Sequence, residues 1–127
     1  MGVISKNNRQ IKLYYNSKTS LGKQTIAYVN ASEKKILTID ISKTKVTGTQ
    51  WLEIVNKLNI DISELVNQKH PDFVKIYGDK EVNLSEDDWL KLIEKKPIVV
   101  TYPIVINGKQ FLQIKTPSDF VKYLDQE

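Results

Sequence analysis

YPIVINGKQFLQIK, residues 102–115, is the stretch that decides how the rest of the chain is read. Residues 103–106 carry the β-branched run of a strand, and 110–115 read as its return partner. Between them stands Asn107-Gly108, the strongest short hairpin signal available to a sequence. Thr116-Pro117 then reads as the N-cap and first residue of a helix whose Phe120, Val121 and Leu124 face inward.

Working back toward the N-terminus, IKLYY (11–15) alternates Ile11, Leu13 and Tyr15 with Lys12 and Tyr14, as a strand requires. NSKTSLG (16–22) is a turn in which Thr19 or Ser20 can cap a helix running to about Ala31, with Thr25, Tyr28 and Val29 at helical spacing. Ser32-Glu33-Lys34-Lys35 breaks that helix, and ILTIDI (36–41) has the composition of a buried strand. Everything from about 48 to 97 reads as helical. Trp51, Ile54, Val55 and Leu58 share one helical face, and Asp61 and Glu64 have capping-box spacing. His70-Pro71 opens a short helix that Gly78 ends. Ser85 precedes the acids Glu86, Asp87 and Asp88, which suit the positive end of a helix dipole better than a paired-carboxylate site. Trp89, Leu92 and Ile93 continue that helix as a buried stripe, with Pro97 beyond its end. The element order is β-α-β, a helical block, a β-hairpin and a final helix.

The 127 residues suit one domain, placed at 11–127 behind a flexible tail at 1–10, with a helical insertion at about 48–97. No apolar run approaches a membrane span, and the opening residues carry no secretory signal, so a cytoplasmic protein is expected. Cysteine is absent, which excludes disulfides, thiolate chemistry, cysteine-based zinc sites and iron–sulfur clusters. With His70 as the one histidine, a metal site or a histidine-dependent triad is not expected either, and no cofactor is implied. All but one of the 19 basic residues are lysine, the exception being Arg9. They are spread along the chain among acids rather than gathered on one basic face, which argues against nucleic acid as partner.

The motifs around these elements resemble those of the arsenate reductase/Spx family, whose fold is thioredoxin-like. Tyr14-Tyr15-Asn16-Ser17-Lys18-Thr19-Ser20 is similar to the family's Tyr-x-Asn-Pro-x-Cys-Ser. Asp40-Ile41-Ser42-Lys43-Thr44 leads to the Trp51 helix as the family's second strand leads to its own. Leu84-Ser85-Glu86-Asp87-Asp88-Trp89 resembles a common Leu-Ser-x-x-Glu-Trp segment, and Tyr102-Pro103-Ile104-Val105-Ile106-Asn107-Gly108 resembles Arg-Pro-Ile-Val-Val-Asn-Gly. The resemblance covers residues 11–124. It implies an α/β fold with a four-stranded mixed sheet in spatial order 2-1-3-4, the first strand central and the third antiparallel to it. It also implies a cis peptide bond before Pro103.

Each departure from the family's pattern falls on chemistry. The nucleophilic cysteine falls at Thr19, whose hydroxyl neither ionises at neutral pH nor passes through a thiol–disulfide cycle. The family's three arginines fall at Tyr102, near Lys115 or Thr116, and near Val66 or Asn67. No catalytic residue is therefore assigned, and Thr19 marks a degenerate nucleophile position. What remains is a vestigial ligand pocket of Asn16, Lys18, Thr19, Ser20, Lys23, Tyr102, Pro103 and Lys115. Thr19 and Ser20 also read as plain helix caps, which is what these residues most often do at a helix start, and Tyr102 as a packing residue. Three functions follow in descending order. They are a non-catalytic family member acting by binding a protein partner, a weak binder of small oxyanions or metabolites at the vacated pocket, and an enzyme of another class. Oligomeric state is not fixed by the sequence.

Overall fold

The computed structural model describes residues 11–32, 35–80, 82–100 and 102–125, with side chains described through residue 121. The expected tail at 1–10, the breaker residues Glu33 and Lys34, and the inward-facing Leu124 lie outside the described residues. Four strands form one mixed sheet: β1 (Ile11–Tyr15), β2 (Ile36–Asp40), β3 (Ile104–Asn107) and β4 (Gln110–Gln113), in the order β2-β1-β3-β4. β1 runs parallel to β2, with Tyr15 opposite Asp40, and antiparallel to β3, with Tyr14 opposite Ile104. This is the expected topology. Helix α1 (Ser20–Ala31) carries the chain back so that β2 can pair in parallel, while the tight turn after β3 forces an antiparallel partner. The remaining helices are α2 (Gly48–Leu58), α3 (Pro71–Tyr77), α4 (Glu86–Lys95) and α5 (Pro117–Asp125).

Strand side chains alternate between faces, so the sheet serves two cores. Leu13 and its partner Val105 face one layer, with Val29 of α1 and Phe120 of α5. Tyr14 and its partner Ile104 face the other, with Trp51, Phe73, Trp89 and Ile93 of the helical block. Each such side chain, fully buried, contributes roughly 1.5–3 kcal/mol.

Local signals hold the helical block in place. Thr47 and Gln50 exchange reciprocal hydrogen bonds at the start of α2, and Asn59 closes it in the left-handed region at φ 59°. Glu64 Oε2 accepts from Asp61 N at 2.7 Å, His70 Nδ1 from Asp72 N at 3.0 Å, and Ser85 Oγ from Asp88 N at 3.2 Å. Among the described residues the block contains no strand, although Val66 makes an isolated antiparallel bridge to Val100 and so ties the block to the segment leading into β3.

The structure corrects several expectations. β2 is not a buried strand. It lies at the sheet edge with Leu37 and Thr38 exposed, because the crossover places it outside β1 and, among the described residues, no strand pairs on its far side. The hairpin forms, but Asn107 pairs with Gln110 and stays in the ladder. The two loop residues are therefore Gly108-Lys109, with Gly108 at φ 61° supplying the positive φ that the first loop position needs. β4 ends at Gln113, two residues early, and Pro103 stands just outside β3. Tyr28 and Val121 face solvent, leaving Thr25, Val29 and Phe120 as the residues that α1 and α5 bury at those positions. The Tyr102–Pro103 bond is trans, the form ordinarily favoured before proline by about 0.5–1 kcal/mol.

Candidate functional site

The expected pocket begins where β1 ends. Asn16 turns the chain by accepting Lys18 N–H on Oδ1 at 2.9 Å, while its carbonyl accepts both the N–H (3.1 Å) and the hydroxyl (2.9 Å) of Thr19. Thr19 Oγ1 then accepts Gly22 N–H at 2.9 Å, which makes Thr19 the N-cap of α1. Its hydroxyl is thereby committed as donor and as acceptor. Ser20 is the first helical residue, and its Oγ accepts from Gln24 Nε2 at 3.3 Å. Lys18 and Lys23 are exposed. Asn16 is 2% exposed, and its Nδ2 is shielded from solvent without a hydrogen-bond partner.

Two features of this corner escaped the sequence reading. The first is Gly22. A β-carbon there would stand 1.9 Å from the Asn16 carbonyl oxygen, so the turn can sit on α1 only over a glycine. The second is Asp40, at the end of β2. Its Oδ1 accepts from Ser17 N at 3.2 Å, Ser42 N at 3.0 Å and Ser42 Oγ at 2.7 Å, clipping the loop after β1 to the loop after β2. Burial pushes the Asp40 carboxyl up, but the hydrogen bonds from Ser17 and Ser42 outweigh it and bring the pKa down to about 2. Asp40-x-Ser42 is a recognisable Asx-turn signature, and a Gly three residues after a cap is a visible oddity in a helix. Ser17, 23 residues from Asp40, leaves no such local trace. The flanking phenols are pushed above their ordinary range, Tyr14 by burial and then Glu53, Tyr15 by burial and then Asp40, so both stay neutral hydrogen-bonding groups at physiological pH.

Strand pairing brings the other expected residues to this same end of the sheet. Pro103 is buried immediately before Ile104, which pairs with Tyr14 on one side and Gln113 on the other, so the residues just after β4 arrive there too. Lys115 is exposed, with its N–H donated to Asp119 Oδ2 at 3.2 Å. Tyr102 is 38% exposed and lines a cavity of about 450 Å³ together with residues 63–69. Val66, one of the positions matched to a family arginine, is buried in that wall, and Asn67 N donates to Val99 O at 2.8 Å. The corner therefore offers backbone amides, hydroxyls and two exposed lysines around Thr19, with neither thiol nor guanidinium among the described residues. Among the described residues no three His, Asp or Glu side chains gather as a metal site, and no helix is long and apolar enough to cross a membrane.

No protein-family model and no curated protein matches the chain. Solved structures do. A candidate arsenate reductase from Yersinia pestis superposes with a TM-score of 0.75 at 18% identity, over 89% of this chain and 99% of that one. The arsenate reductase from Vibrio cholerae gives 0.75 at 16% identity, over 90% and 97%. An arsenate reductase (ArsC) related protein from Brucella melitensis gives 0.67 at 14% identity, over 91% and 94%. The chain has the arsenate reductase fold. Near-complete coverage in both directions means that the helical block between β2 and β3 belongs to this fold rather than being appended to it. On that fold this chain carries Thr19 in the capping position and no cysteine anywhere.

Proposed function

We propose that this is a non-catalytic, Spx-like member of the arsenate reductase family, a cytoplasmic pseudoenzyme that works by binding a protein partner. The observation that carries the reading is the double commitment of the Thr19 hydroxyl, donated to Asn16 O and accepting from Gly22 N, at the position where the family's nucleophile falls. Arsenate reduction needs a sulfur that can bond arsenic and then be released by a second thiol, and the chain has none. The positions of the family's arginines hold Tyr102, Lys115 or Thr116, and Val66 or Asn67, which cannot reproduce a two-pronged guanidinium grip on an oxyanion. What the fold retains is a shaped surface, and a surface of this kind serves recognition. Arsenate turnover assays with glutathione and with thioredoxin, beside pull-down from native lysate with an active arsenate reductase as control, test it. Turnover above the buffer rate would overturn the reading, as would a pull-down that recovers nothing beyond the control.

A second reading rests on the first turn of α1, which contains no acidic residue, whereas that of α4 carries Glu86, Asp87 and Asp88. The free N–H groups there, with Lys18, Ser20 and Lys23, favour a small oxyanion. Without arginines such binding would be millimolar, roughly 4 kcal/mol, too weak for a function by itself. Titrating phosphate, sulfate and arsenate while following the amides of residues 18–23 by NMR decides it. Amides that stay still at tens of millimolar anion would close the pocket.

A further inference from the structure

We propose that the groove between α3 and α4 is the docking surface for an acidic, amphipathic segment of a protein partner, a proposal that rests on the binding-module reading above. The groove encloses about 540 Å³, and its apolar part is made by Ile76 and Tyr77 of α3 with Leu92 of α4. Ile76 is 52% exposed, more than any other large apolar residue described. A single exposed isoleucine is ordinary. One placed in a groove rimmed by four lysines is a different matter, and the charges around it are polarised.

Four lysines and two carboxylates line the groove. Lys45 reaches Glu94 at 3.8 Å, which partly neutralises both. Lys91 reaches Asp87 at 3.6 Å. Lys95 and Lys96, at the C-terminal end of α4, make no ion pair among the described residues. The remaining carboxylate, Asp88, lies in the first turn of the same helix, about 10 Å from Lys95. One end of the groove is therefore positive and the middle apolar. An occupant with a leucine-like anchor over Ile76 and Leu92, and carboxylates beyond it toward Lys95 and Lys96, would satisfy both parts at once. Lys95 also complements the α4 dipole, a role that uses its charge without covering Ile76.

The experiment uses the full chain and a short synthetic helical peptide of leucine and glutamate, labelled with fluorescein. Two controls replace its glutamates with lysine or its leucines with serine. A single-stranded oligonucleotide serves as the competing polyanion. The leucine–glutamate peptide is expected to bind in a salt-dependent manner and to shift the amides of residues 76–77 and 91–96. Both control peptides should bind at least about fivefold more weakly. Ile76→Ser and the Lys95→Gln/Lys96→Gln pair should each weaken the parent peptide by about the same factor, with circular dichroism unchanged, since all three side chains are at the surface. Absence of binding, or binding indifferent to these substitutions, overturns the proposal. Shifts centred on residues 63–69 and Tyr102 would also overturn it, while leaving the binding-module reading intact. Tighter binding of the oligonucleotide through the same lysines would assign the groove to nucleic acid instead.

Discussion

Gly22 lies directly beneath Asn16, so close that a β-carbon on the glycine would meet the Asn16 carbonyl oxygen at 1.9 Å and its carbon at 2.8 Å. Both are backbone atoms, and that carbonyl already accepts two hydrogen bonds from Thr19. Gly22→Ala should therefore destabilise the fold by about 3 kcal/mol, the upper range for overpacking. Gly48→Ala supplies the contrast. Its β-carbon would find Glu94 Oε1 at 3.5 Å and Leu90 Cδ1 at 3.7 Å, ordinary contact distances, and should be neutral or stabilising by up to about 1 kcal/mol. Urea unfolding of the two variants side by side measures the difference. Equal midpoints would show that the turn is not seated on α1 as described.

Thr19→Ala should cost about 1 kcal/mol, the usual penalty for removing an N-cap side chain, because Gly22 N–H loses its acceptor. Thr19→Ser keeps the oxygen and should lose only a few tenths of that order. Thermal denaturation of the pair separates a capping hydroxyl from a merely packed methyl, which would be felt in both variants.

Thr19→Cys should gain no useful arsenate reductase activity. The new thiol would sit at a helix N-terminus and gain some thiolate character. It would still lack the guanidinium contacts that hold arsenate against it. Losing one charged oxyanion contact can cost on the order of 2.7–4 kcal/mol in the transition state. Steady-state assay with glutathione or thioredoxin checks this; turnover near that of an active enzyme of this fold would show that the corner binds arsenate well without arginine.

Asp40 sets a pH dependence whose sign is fixed. Its folded-state pKa of about 2 lies below the ordinary 3.8, so the stability it contributes is present above pH 3.8 and is lost as pH falls toward 2. Asp40→Ala should cost about 1–2 kcal/mol at neutral pH, kept low because the carboxylate is partly in water. The gap between wild type and variant should then close between pH 4 and pH 2. Chemical denaturation across that interval tests it, and a gap that widened on acidification would contradict the assignment.

How far the sequence reading carried depends on how local each signal was. The caps at His70 and Ser85 and the reach of the helical block are encoded within a few residues and were legible, strand order followed from the family resemblance, and the cap at Thr47 was passed over. The hairpin turn slipped by one position because Asn107 is claimed by pairing with Ile11 and Gln110, a requirement set by β1 and not by the turn itself. The exposure of Leu37 was illegible, since composition cannot say whether a strand has one neighbour or two. At the candidate site, Thr19 stood out by its absent sulfur and Asn16 by its place in the motif. The clip from Ser17 to Asp40, and the cavity that Tyr102 shares with residues 63–69, exist only once distant segments are brought together.

The hydroxyl that closes the turn before α1 has a further consequence. An oxygen cap has no oxidation ladder: peroxide cannot convert it to a sulfenic acid, and glutathione cannot form a mixed disulfide with it. The chain holds no cysteine, and Met1 is its one methionine. The corner of Asn16, Thr19 and Gly22 thus keeps one geometry across the whole range of cellular redox potential. Oxidative stress has no sulfur through which to reshape this turn.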